Sequence, residues 1–125
     1  MIFKNIILIG FILIILDGIV LNLLKDFFNN QVFLVQKYPI KMNYYAAFFS
    51  YIFIIFALNY FIISKNKSLK DAFLLGLSIY AIFELTNKAL LMNWSWNTVF
   101  VDSLWGGTLF LLTTFIFYKT KKYIL

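Results

Sequence analysis

This sequence predicts an all-α fold: four transmembrane helices bundled in a single domain over residues 1–125, with a short interfacial helix in the first, outer loop. Three observations carry that expectation. The chain is 63% hydrophobic and only 13% charged, more apolar than a soluble domain of 125 residues can conceal. Four apolar stretches each approach the roughly 20 residues that a helix needs to cross a bilayer. Within them the apolar residues run continuously instead of alternating, which favours helices over the strands of a barrel.

The first stretch, "NIILIGFILIILDGIVLNLL", covers residues 5–24. Lys4 and the run after it have the outline of a signal peptide. The run is long and no small-x-small cleavage site follows it, so a retained helix is expected. The second stretch, "YYAAFFSYIFIIFALNYFII", covers 44–63, the third, "AFLLGLSIYAIFELTNKALLM", covers 72–92, and the fourth, "TVFVDSLWGGTLFLLTTFIFY", covers 98–118. None contains proline. Glycines at 106 and 107, and at 10 and 18, are places where a second helix can approach closely.

Between the first two spans lies "KDFFNNQVFLVQKYPIKMN". Phe28, Val32 and Val35 fall on one helical face and Asn29, Asn30, Gln36 and Lys37 on another. Pro39 ends such a helix. A helix over about 26–37, lying on the membrane surface, is expected there.

Lysine placement gives orientation. Lys4, the loop with Lys65, Lys67 and Lys70, and the tail with Lys119, Lys121 and Lys122 share one side, against Lys25, Lys37 and Lys41 on the other. This bias favours both termini in the cytoplasm of a bacterial-type cell membrane. Trp94 and Trp96 are expected in the outer aromatic belt, Tyr118 and Tyr123 in the inner one.

The chain has no cysteine and no histidine, so disulfides, thiolate nucleophiles and the usual zinc and haem ligands are excluded. No catalytic set, metal site or cofactor is expected. All eleven basic residues are lysines, and they flank apolar segments; the net charge of +6 therefore reflects membrane flanks and not a nucleic-acid surface.

Three acids lie within spans: Asp17, Glu84 and Asp102. Each costs roughly 2.5–3.5 kcal/mol at a helix centre. With the termini inside, all three fall roughly 6–12 Å below the outer interface, and convergence into one polar pocket keeps them from lipid. Tyr80, Glu84, Asn87 and Lys88 share a face of the third span; Asp102, Trp105, Gly106 and Leu109 share a face of the fourth. Lys88 either pairs with Glu84 or extends outward to the headgroups. If all three acids ionise, the cluster carries two uncompensated negative charges, so a proton or cation must be held. The expected arrangement shares that proton between Asp17 and Asp102, while Glu84 pairs with Lys88 and Asn87 donates to an acid.

These residues resemble a family of small four-helix bacterial membrane proteins of unknown function. The resemblance rests on "ELTN" at 84–87, "VDSLWGGT" at 101–108, an Asp late in the first span and "FF" at 27–28, and it covers nearly the whole chain. It implies that Asp17, Glu84, Thr86, Asn87, Asp102, Trp105 and Gly106 are the family's polar positions, with a link to lipid-modifying functions. The chain departs from the family's pattern at Glu84 (usually Asp), Phe83 (usually Tyr), Val20 (commonly Trp) and Ser95 (commonly Pro), and Lys88 is not part of it.

Three functions remain open: a proton- or cation-linked transporter-like unit, working as a homo-oligomer; a protein that binds or modifies a lipid or another apolar molecule; and an accessory subunit of a membrane-protein partner, with the acids as a packing clasp. The first two imply a small cation or a lipid as ligand, with the bilayer as the constant partner.

Overall fold

A computed structural model describes residues 2–124; Met1 and Leu125 lie outside them. Among the described residues there are five α-helices and no strand. They are α1 (Ile2–Leu23), α2 (Lys25–Gln36), α3 (Tyr44–Phe61), α4 (Leu69–Leu90) and α5 (Trp96–Ile124), with a 3-10 turn at Ile63–Lys65 after α3.

Helix ends follow local chemistry. The segment over 26–37 is helical, as its periodicity predicts, and stops where Lys37 takes a left-handed conformation (φ 66°) two residues before Pro39. Asn43 caps α3 by accepting the Ala46 N–H at 3.1 Å. Ser68 caps α4 by accepting the Asp71 N–H at 3.1 Å, which starts the helix three residues before the apolar run. Ser95 accepts the Thr98 N–H at 3.1 Å at the head of α5, a capping role that needs a side-chain oxygen. At its other end α5 continues past 118 through Lys119, Lys121 and Lys122, because nothing there breaks a helix.

Among the described residues, three segments are long and apolar enough to cross a membrane: Phe3–Leu23, Tyr44–Lys65 and Trp96–Tyr123. Helix α4 is as long as α1, at 22 residues, but is not in that group. The outside of the molecule is inverted relative to a soluble protein. Phe3, Phe11, Phe48, Phe53 and Phe100 are all exposed, which is costly in water and neutral in hydrocarbon.

The core is built from Ile9, Leu13, Leu58, Leu109, Phe110 and Phe117. Helix α5 packs along α4 over its most extensive contact and also against α1; α1 in turn packs on α3. Contact between α3 and α4 is sparse. Glycines set the α4–α5 distance. A Cβ at Gly76 would overlap the Gly106 carbonyl and the Phe110 ring, one at Gly106 the Tyr80 ring, and one at Gly107 the Phe73 ring. Gly10 faces Ile55 of α3, whereas Gly18 meets no neighbour, which corrects the expectation that both serve helix contact on α1.

Gly76→Ala is therefore expected to lower the unfolding temperature in detergent, at an overpacking cost of about 1–3 kcal/mol, because the obstacle is backbone. Gly18→Ala in the same assay is expected to leave it unchanged or slightly raised.

Candidate functional site

Each of the three acids lies on a different helix, and each has a different environment. Asp17 on α1 is buried. Its Oδ2 accepts from the Tyr51 hydroxyl of α3 at 2.5 Å and its Oδ1 from Trp105 Nε1 of α5 at 2.9 Å. Glu84 on α4 is 2% exposed, and its Oε1 accepts from Trp94 Nε1 at 2.8 Å. Asp102 on α5 is only half-buried; its carboxyl lies within hydrogen-bond reach of Glu84 and also neighbours Asp17. The acid that Asp102 meets is thus Glu84, while Asp17, its expected partner, accepts from Tyr51 and Trp105. The Tyr80 ring rests on Gly106 and meets Phe110 edge-on at 6.4 Å. Among the described residues, no group of three or more acidic side chains is arranged to hold a metal ion.

Asp102 also lines a cavity of about 510 Å³ in the sparsely packed seam between α3 and α4. Its walls include Phe53, Phe56 and Phe61 of α3 and Tyr80 and Phe83 of α4. Most of the lining is apolar; Asp102, Tyr80 and Ser50 are its polar residues.

Asp17, Tyr80, Glu84, Asp102, Trp105 and Gly106 come together. Thr86, Asn87 and Lys88 do not join them in the way expected. Thr86 is exposed, since it stands two residues from Glu84 and hence on another side of the helix. Asn87 is half-buried, and among the described residues none of the three acids accepts its amide. Lys88 turns outward: its Nζ donates to the Trp94 carbonyl at 2.6 Å and lies 5.3 Å from the centre of the Trp96 ring. The expected Glu84–Lys88 pair is replaced by two separate contacts with Trp94. The indole takes the carboxylate, and the turn after α4, with carbonyls free of helical partners, takes the ammonium.

Trp94 itself is a correction. Expected in the outer belt, it is 8% exposed and serves as a buried donor, whereas Trp96 is 56% exposed. Tyr51 and Gln31 were missed altogether. Gln31, 4% exposed on α2, donates from Nε2 to the Asn93 carbonyl at 2.9 Å. Its Oε1 accepts from the Ser95 N–H at 2.9 Å and from the Thr98 hydroxyl at 2.7 Å. This side chain latches α2 to the α4–α5 turn. The sequence signal was present: Gln31 is a lone amide between Phe27, Phe28, Leu34 and Val35 on the apolar face of α2.

An all-helical fold with three helices long and apolar enough to cross a membrane among the described residues defines the class, a membrane protein. The chain belongs to the family described as a predicted membrane protein of unknown function (DUF2177), whose family model matches residues 2–118. No curated protein and no solved structure matches it.

The two tryptophans test the geometry. Trp94→Phe leaves the buried Glu84 carboxylate without its donor and is expected to cost about 1–3 kcal/mol of stability. Trp96→Phe, at an exposed ring, is expected to change unfolding in detergent little. Equal effects would contradict the assignment of Trp94 to the interior.

Proposed function

We propose that this protein binds a small ligand from the bilayer at Asp102 and couples that binding to a proton, as a proton-linked transport unit. One observation carries the reading: Asp102 lines the α3–α4 cavity and lies within hydrogen-bond reach of the buried Glu84. Two carboxyls at that range cannot both remain charged in a low-dielectric site, so they share a proton or bind a cation. In this reading Asp17, held by Tyr51 and Trp105, and Glu84, held by Trp94, form the clasp, and Asp102 is the exchangeable group. The apolar walls of the cavity favour a second reading, a binding site for a lipid or another apolar molecule with no proton involved.

The reading takes α4 as a fourth span. Its length and its close glycine-mediated packing along α5 support this: a helix held that tightly against a span shares its depth. The lysine bias favours both termini in the cytoplasm and the α4–α5 turn outside, with α2 on the outer surface. Four helices make a thin pathway, and a second copy of the chain would complete it.

Two experiments test these proposals. Reporter fusions at residues 68 and 95 are expected on opposite sides, with 68 inside; a cytoplasmic signal at 95 would reverse the orientation. Dicyclohexylcarbodiimide, which reacts with protonated carboxyls in apolar surroundings, is expected to add one label to the protein in membranes. The label is expected to map to Asp102, to fade as pH rises, and to vanish in Asp102→Asn. Absence of labelling across pH 5 to 9 would rule out the proton reading and leave the apolar-ligand one.

A further inference from the structure

The walls of the α3–α4 cavity specify the ligand more narrowly than the acids alone do. We infer that its occupant is a lipophilic organic cation, with the charged centre against Asp102 and the apolar body among Phe53, Phe56, Phe61, Phe83 and Tyr80. This inference rests on the proposed role of Asp102.

Charge comes first. The cavity lining has one carboxyl and no basic residue. Glu84 and Asp17 neighbour Asp102; Lys88 is engaged by the Trp94 carbonyl, and Lys65, beyond the end of α3, by the Tyr60 ring. An anion would meet three acids. A bare metal cation would find too few oxygens, since calcium takes six to eight ligands and magnesium near-octahedral coordination. A neutral lipid would have no counter-charge to offer the carboxylate.

The aromatic walls supply what a large soft cation requires. Ring faces attract ammonium and related cations, more strongly when water is absent. One of this protein's own cations uses that interaction at the Phe61 end of the cavity. Lys65 Nζ lies 4.4 Å from the centre of the Tyr60 ring and 5.7 Å from that of Phe61, a ring of the cavity itself. The sparse α3–α4 contact and the exposed rings of Phe53, Phe56 and Phe83 leave the cavity open on its lipid side, where an amphiphilic cation concentrates.

Tetraphenylphosphonium and tetraphenylborate, near-identical in shape and opposite in charge, provide the test. The full chain in nanodiscs is titrated with each. The phosphonium is expected to bind saturably, to release a proton, and to protect Asp102 from carbodiimide. Its affinity is expected to rise with pH as Asp102 loses its proton, the groups around that carboxyl being Glu84 and Tyr80 of α4, Asp17 of α1 and Tyr51 of α3. In Asp102→Asn, checked for an unchanged unfolding temperature, affinity is expected to fall by about tenfold or more. The borate is expected not to bind. Equal binding of both ions to the parent protein, which needs no variant, would overturn the inference, as would phosphonium binding that ignores Asp102→Asn. Carbodiimide labelling of Asp102 without phosphonium protection would overturn it too while the proton reading stands. Loss of labelling and of binding together would remove both.

Discussion

Asp17 accepts hydrogen bonds from Tyr51 on α3 and Trp105 on α5, so a single carboxylate joins three helices. Helix association inside a bilayer has no hydrophobic drive, because lipid is as apolar as the side chains it replaces. Van der Waals contact and hydrogen bonds must supply the specificity. In this protein they are divided between two places: the glycine contact that brings α4 onto α5, and the Asp17 clasp that brings α1 and α3 to α5. Helix α3 meets α4 only sparsely, which is why a cavity persists between them and why it opens toward lipid.

The buried acids illustrate how one residue type serves two ends. A carboxylate with an indole or phenol donor at normal hydrogen-bond distance is a packing element, since its desolvation is offset by charge-assisted bonds. Asp17 and Glu84 both have such donors. Asp102 faces the cavity on one side and another carboxyl on the other. The hydrogen-bonded acids and the cavity-lining one are therefore neighbours.

The α4–α5 turn connects this interior to α2. Trp94 reaches inward to Glu84, Lys88 caps the turn through the Trp94 carbonyl, and Gln31 holds the Asn93 carbonyl, the Ser95 N–H and the Thr98 hydroxyl from α2. A five-residue connection with this many side-chain bonds is a structural joint between α2 and the acid cluster.

The sequence by itself determined the α-helical class, the positions of the helices to within a few residues, the helical segment around 26–37, and which acids stand inside apolar runs. Those properties depend on local hydropathy, on helical period and on the high cost of polar groups in hydrocarbon, all of which are written along the chain. Only the tertiary structure decided the partners. Trp94 and Trp96 have the same local pattern, yet one is buried on Glu84 and the other exposed. Lys88 follows Glu84 at the favourable spacing and still turns to a backbone carbonyl. Tyr51 is one of many aromatics on α3, and only the approach of α1 makes it the donor to Asp17. Periodicity gives a side chain its face and its depth; the group it meets there is chosen by which helix packs alongside and at what distance.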